Sequence, residues 1–265
     1  MPKLTTQDIL SRKKSHTKIT ALTAYDYPFA KLVDEAEMDI VLVGDSLGMV
    51  CLGYESTAVV SMDEMVHHGK AACRAVKNAL VVIDMPAKSY LEPIQAVQNA
   101  KRLIADTGAD AVKPEGGRSI FTVVKALREA GIQVMGHLGM TPQSVDQMGG
   151  YKVQGKTKEA ADRIFEDALE LERLGVFSIV LECVPHTLAK RVSEALKVPT
   201  IGIGAGPDTD GQVLVLHDIL GIESNVHPKF VRKYADLNEI VRQAIATYKQ
   251  DVLEKKYPSL KESFE

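Results

Sequence analysis

The sequence predicts an α/β fold, a (β/α)₈ TIM barrel in a single domain over residues 1–265. Three observations predict it. Eight short runs rich in Val, Ile and Leu alternate with segments of helical periodicity, the pattern of a parallel sheet wrapped by helices. The 265-residue length is close to the roughly 250 residues usual for such a barrel. No charge run or Pro/Gly/Ser-rich linker divides the chain.

Taken in order, an N-terminal helical segment carries "SRKK" (Ser11 to Lys14), which reads as a solvated helix face, and precedes strand one, "KITALTA" (18–24). Strand two, "IVLVGD" (40–45), is apolar on both faces until it ends in Gly44 and Asp45. After a long Gly-bearing loop (46–60), "SMDE" forms a capping box with Ser61 as N-cap and Glu64 at N3, ahead of Met65, Ala72 and Val76 on one helix face. Strand three is "LVVIDM" (80–85); Pro93 then suits a first helical position, with Ile94, Val97 and Ile104 at helical spacing. Strand four, "AVKPE" (111–115), ends near Pro114, because a proline farther inside would lose a ladder hydrogen bond. Ser119 is placed to cap a helix that turns Ile120, Val123, Val124 and Leu127 inward and stops at Gly131. Strand five, "QVMGHLG" (133–139), runs into a second long loop (139–156), and a helix from Lys158 to Leu174 stops at Gly175. Strands six, seven and eight are "SIVLEC" (178–183), "PTIGIGAG" (199–206) and "VLVLHDIL" (213–220), followed by a terminal helix at about 227–257. The two long loops follow strand ends, where lids and binding loops occur.

Composition narrows the function. A net charge of -3 with pI near 6.2 leaves no electrostatic footprint for nucleic acid or an anionic membrane. No apolar run approaches the roughly 20 residues that span a bilayer, and the amino terminus lacks an apolar signal core, which predicts a cytoplasmic protein. Cys51, Cys73 and Cys183 make no CxxC pair, so they argue against structural zinc and are expected to be small buried apolar residues.

In such a barrel the carboxyl ends of the strands converge on one mouth, where catalytic groups collect. Strand two ends in Asp45 and Ser46, strand three in Asp84, strand four in Lys113 and Glu115, strand five in His137 and strand six in Glu182. Any one of these Asp residues alone reads as a turn or cap residue. Four carboxylates at one mouth are different: each pair about 4 Å apart repels by about 4 kcal/mol at an effective dielectric near 20, so they raise one another's pKa or recruit a cation. All-oxygen ligation without a Cys or His cluster favours Mg²⁺ or Mn²⁺. Lys113 and Glu115, two apart, share a face, so Lys113 is either a plain ion-pair partner or a cation able to hold a substrate carboxylate. A hard metal that chelates a 2-oxo acid favours removal of the neighbouring proton, and Glu182, after apolar "SIVL", is the candidate base. These residues read as a metal-dependent enolisation or carbon-carbon bond enzyme, with the electrophile open.

Other signals weigh less. "GIGAG" (Gly202 to Gly206) lacks the strand-one context and downstream acid of a dinucleotide loop and reads as a tight turn. His67 and His68 read as surface or rim residues, His137 as either a ligand contact or a packing residue, and His217 with Asp218 as a supporting or packing pair.

The blocks "TAYDYPFA", "VGDSLGMVCLGYEST", "MDEMVHHGKA", "IDMPAKSY", "KPEGG", "GHLGMTPQSVDQMGGYKVQGK", "VLECVP" and "IGIGAGPDTDGQVLVLHDILGI" resemble, in order and from about residue 4 to residue 235, the ketopantoate hydroxymethyltransferase family. The resemblance implies transfer of a one-carbon unit from 5,10-methylenetetrahydrofolate to 3-methyl-2-oxobutanoate, giving 2-dehydropantoate, the first committed step of pantothenate synthesis. It implies a Mg²⁺ environment at Asp45, Asp84 and Glu115, oxo acid contacts at Asp45, Ser46, Asp84 and Lys113, Glu182 as proton acceptor, small-molecule partners only and a homodecamer. Two places depart from the family pattern: Ala87 and Lys88 stand where Phe-Gly is usual, and Pro114 where an aliphatic residue is usual. Two alternatives stand beside this reading. One is a Mg²⁺-dependent 2-oxo acid lyase or mutase of the phosphoenolpyruvate mutase and isocitrate lyase type, disfavoured because Cys51, the one loop cysteine, lies in the wrong setting for a reactive thiol. The other is a catalytically silent barrel.

Overall fold

The computed structural model of the protein describes residues 2–144, 150, 152–222 and 228–264. Eight parallel strands form one sheet: β1 (Ile19–Thr23), β2 (Ile40–Val43), β3 (Leu80–Asp84), β4 (Ala111–Lys113), β5 (Met135–Gly139), β6 (Ser178–Glu182), β7 (Thr200–Ile203) and β8 (Gly211–Leu214). Their order is β4-β3-β2-β1-β8-β7-β6-β5, and β4 meets β5 through a parallel bridge from Val112 to Val134, so the sheet curls into the expected TIM barrel. The helices of this unit are α1 (Thr6–Lys14), α2 (Tyr27–Glu35), α3 (Leu47–Val50), α4 (Met62–Ala75), α5 (Pro93–Thr107), α6 (Phe121–Glu129), α7 (Lys158–Arg173) and α8 (His186–Ala195).

Strand parity builds the interior. Ile19 and Ala21, Ile40 and Leu42, Leu80 and Val82, Ala111, Met135, Val180, Ile201 and Val213 join one buried cluster. Continuing the two-residue period toward the carboxyl ends reaches Thr23, Gly44, Asp84, Lys113, His137 and Glu182. The lower layers are therefore apolar, and the top layer is chemical.

At the opposite end, carboxylates that precede strands clip the neighbouring strands. Asp39 accepts from Thr20 N at 2.8 Å, Asp110 from Val81 N at 2.8 Å and Asp210 from Thr200 N at 2.8 Å. The N-terminal segment neutralises all three: Arg12 pairs with Asp39, Lys3 with Asp110 at 2.7 Å and Lys13 with Asp210 at 2.7 Å. Between these pairs Ile9 of α1, fully buried, enters the core cluster from below. "SRKK" is thus in part a set of tethers, not a purely solvated face.

Several elements differ from expectation. "VLVLHDIL" is a strand only to Leu214, and Leu216–Leu220 is a short helix; a short apolar run fits either structure. Ser119 caps nothing, since it lies inside a 3₁₀ turn (Arg118–Ile120) that leads straight into α6. In α5 the buried face is Ala96, Ala100 and Leu103, while Ile94 is exposed. The Ser61 capping box and the Gly131 and Gly175 helix stops follow their expected chemistry, and Gly108 ends α5 in the same left-handed way. Cys51 is exposed and Cys73 and Cys183 half-buried, so the cysteines are not core residues. Of the long loops, 46–60 contains α3 and a 3₁₀ turn (Thr57–Val59), and 139–156 contains a 3₁₀ turn (Pro142–Ser144), with 145–149 and 151 outside the described residues.

The barrel unit is Met1–Val215, and a second compact unit, Leu216–Glu265, holds the remaining helices, α9 (Leu216–Leu220) and α10 (Leu237–Leu253). Asp236 caps α10, which starts later than the expected terminal helix; residues 223–227 lie outside the described ones. Within this unit Tyr234 N donates to Ile219 O at 2.8 Å. Among the described residues no helix is long and apolar enough to cross a membrane.

Candidate active site

All the predicted strand-end groups, Asp45, Ser46, Asp84, Lys113, Glu115, His137 and Glu182, line one cavity of about 100 Å³ at the carboxyl ends of the strands. Local structure explains how each arrives. Asp84 and Lys113 are register partners on adjacent strands, and their side chains meet at 2.9 Å. Position 44 faces inward, where a Cβ would come within 2.9 Å of Ser46 Oγ and 3.4 Å of Asp84 Oδ2, so glycine makes room there. Asp45, just past the strand, turns its backbone N–H onto Asp84 Oδ2 at 3.1 Å. Ser46 Oγ lies 2.8 Å from the hydroxyl of buried Tyr25. Gly139, at φ 97°, lets the backbone pass Glu182 so closely that a Cβ would lie 2.2 Å from Glu182 O.

His137 stands between two carboxylates, its Nδ1 3.3 Å from Glu115 and its Nε2 3.1 Å from Glu182. Burial and the Lys113 charge push its pKa down, but the flanking Glu115 and Glu182 carboxylates prevail and hold it up at about 9. Raised in this way the imidazole favours its protonated form at neutral pH, and Lys113 Nζ lies 3.4 Å from its Nδ1.

Burial, then repulsion from Glu115 and Asp84, holds the Asp45 carboxyl well above the usual carboxylate range. Burial also raises Asp84, against the pull of Lys113. Burial works against the Lys113 ammonium, yet Asp84, Glu115 and Asp45 together raise its pKa. Four carboxylates here face two cationic side chains, which leaves an excess of negative charge in a buried space. Hard oxygen donors with surplus negative charge suit a divalent cation such as Mg²⁺. Among the described residues no three Asp, Glu, His or Cys side chains already form a ligand cage; Asp45 leans on Gln143 and Glu115 on His137 and Gln143. The fit is one of charge and donor chemistry.

Two participants escaped the sequence reading. Gln143 donates to Asp45 Oδ2 at 2.7 Å, and Tyr90 bonds both Gln143 and the Glu115 backbone. Neither ends a strand. The only signal was that Gln143 lies in a long loop after a strand. His67 is exposed and His68 bonds Tyr25 O at 2.7 Å, whereas His217 lies in the second unit. "GIGAG" (Gly202 to Gly206) is the last two residues of β7 and the bend that follows them.

A family profile described as "Ketopantoate hydroxymethyltransferase" matches residues 3–260. The chain is 55% identical over 263 residues to the 3-methyl-2-oxobutanoate hydroxymethyltransferase of Thermoanaerobacter sp. (strain X514), covering 99% of this chain and 96% of that one. It is 54% identical to the protein of the same name from Acetivibrio thermocellus, covering 99% and 93%. Among solved structures, phosphonopyruvate hydrolase in complex with oxalate and Mg⁺⁺ superposes with a TM-score of 0.64 at 14% identity, covering 98% of this chain and 93% of that one. A 2,3-dimethylmalate lyase of the PEP mutase/isocitrate lyase superfamily superposes with a TM-score of 0.61 at 15% identity, covering 94% and 88%. The solved barrels share the fold; the match along nearly the whole chain places the protein in the ketopantoate hydroxymethyltransferase family, enzymes that transfer a hydroxymethyl group.

Proposed function

We propose that the protein transfers a one-carbon unit from 5,10-methylenetetrahydrofolate to 3-methyl-2-oxobutanoate, with Mg²⁺ as cofactor, giving 2-dehydropantoate for pantothenate synthesis. The observation that carries this reading is the convergence of Asp45, Asp84, Lys113, Glu115 and Glu182 on one buried cavity in a chain of this family. That a barrel of the same fold holds oxalate and Mg⁺⁺ supports it by analogy of fold.

Asp45, Asp84 and Glu115 would hold the Mg²⁺, which when bound supplies Lewis-acid polarisation of the oxo acid. Lys113 and Ser46 bind and orient the substrate carboxylate and carbonyl. Glu182, on the opposite side of His137 from Glu115, takes the proton from C3. The methylene carbon of the folate loses both of its C–N bonds: it gains a bond to the C3 carbanion and the OH of one water, while the other water proton and the proton taken from C3 end on the two nitrogens of the departing tetrahydrofolate. His137, charged and fixed between the two carboxylates, keeps Glu182 aimed into the cavity.

Replacing Glu182 with Gln removes the base and keeps the shape, and should slow turnover by about 10²–10⁴-fold. Exchange of the C3 proton into deuterated water, followed by NMR with Mg²⁺ present, should slow in parallel. A variant that exchanged at the native rate would refute the assignment.

The proposal extends to a homo-oligomer, a decamer by family resemblance, in the cytoplasm. The support for self-association is the stripe of exposed apolar residues on α10, Ile240, Val241, Ile245, Tyr248 and Val252, a helix with no buried residue of its own.

A further inference from the structure

Gln143 makes an unusual set of bonds for a half-buried loop residue. Its side-chain nitrogen donates to Asp45 Oδ2 at 2.7 Å and to Met85 O at 2.8 Å. Its side-chain oxygen accepts from the Tyr90 hydroxyl. Its backbone N–H donates to Glu115 Oε2 at 3.1 Å. A single residue, in the segment that follows β5, thus holds groups that follow β2, β3 and β4.

The orientation of the carboxamide is determined by chemistry. A carboxylate oxygen and a carbonyl oxygen can only accept, so the nitrogen must face Asp45 and Met85. On the other side, the Glu115 N–H donates to the Tyr90 hydroxyl at 3.2 Å, leaving that hydroxyl's own proton for the Gln143 oxygen, nearer than the 3.5 Å alternative at Glu115 O. A relay therefore runs from the Glu115 backbone through Tyr90 and Gln143 to Asp45. It engages one oxygen of Asp45 and one of Glu115, whose other oxygen faces His137 Nδ1 at 3.3 Å, and leaves the second oxygen of Asp45 for another partner.

We propose that Gln143, oriented by Tyr90, is a positioning residue that presets the Asp45 and Glu115 carboxylates for the cation and ties the loop after β5 to the site. The inference rests on the metal reading above. Partners that orient ligating carboxylates are typically worth about 10–100-fold in metal affinity.

The test is Mn²⁺ binding to the whole protein, read from the paramagnetic resonance signal of free Mn²⁺, in the native chain, Gln143→Met, Tyr90→Phe and the double variant. Gln143→Met keeps bulk and removes both polar functions. It should weaken Mn²⁺ binding about 10–100-fold. Tyr90→Phe should weaken it less, and the double variant should equal Gln143→Met alone, because both changes cut one relay. Native affinity in Gln143→Met, tighter binding, or strictly additive losses would overturn the proposal. Failure of the native protein to bind Mn²⁺ would overturn the metal reading and this proposal together. Should Gln143→Met not fold, Tyr90→Phe decides alone: native affinity there refutes the relay.

Discussion

Lys88 illustrates how a single backbone angle carries information. It is exposed and sits at φ 66°, a left-handed conformation that costs an L-residue about 1–2 kcal/mol and glycine far less. The glycine that the family resemblance leads one to expect at this position would take that conformation freely, and Lys88 bears strain in it. Lys88→Gly should leave the melting temperature unchanged or raise it by a few degrees, since glycine's extra unfolded-state entropy offsets part of the relief. A marked fall in calorimetry would show that the Lys88 side chain makes a needed contact. Asp45 gives a second residue-scale prediction. A carboxyl whose folded pKa is raised binds more protons folded than unfolded, so its contribution to stability is present at low pH and is lost as pH rises through the raised value. Asp45→Asn removes that loss and keeps an acceptor for Gln143. In chelator at neutral pH this variant should melt above the native protein, by about 2–4 °C per kcal/mol relieved, with the difference vanishing toward pH 4. Equal melting at neutral pH would mean that the crowding of Asp45 with Glu115 and Asp84 carries no cost.

At the scale of elements, α1 closes the base of the barrel. Its single buried side chain, Ile9, packs into the core cluster of strand residues. Ile9→Ala should cost about 2–5 kcal/mol in urea unfolding while leaving turnover at low temperature intact, since the mouth lies at the far end. A cost below about 1 kcal/mol would mean that the base tolerates a void. The strands were legible because a buried parallel strand is a continuous apolar run, and most of their ends fell within a residue or two of expectation. The eighth was not, because "VLVLHDIL" is apolar across a strand and a helix alike. Ser119 misled because capping chemistry is also turn chemistry, and the decisive feature, direct passage of a 3₁₀ turn into α6, is a matter of path.

Across the whole molecule, the candidate site was legible to the extent that strand ends supply it. Asp84, Lys113, His137 and Glu182 follow from parity, Glu115 and Asp45 from lying one or two residues beyond. Gln143 and Tyr90 were not, since their roles depend on which loops meet in space. The exposed stripe on α10 makes a prediction at this scale: Ile245→Glu, which puts a charge in the middle of the apolar face, should lower the mass measured by light scattering. An unchanged mass would remove α10 from the assembly. The tethers at the barrel base have one more consequence, for the order in which the chain is made. Lys13 finds Asp210 only after 197 more residues have been added, and β1 finds β8 at the same late moment. α1 is thus among the last elements of the barrel unit to be fully seated, although it is made before the strands it seals, and until then Ile9 and the inner face of β1 must wait uncovered.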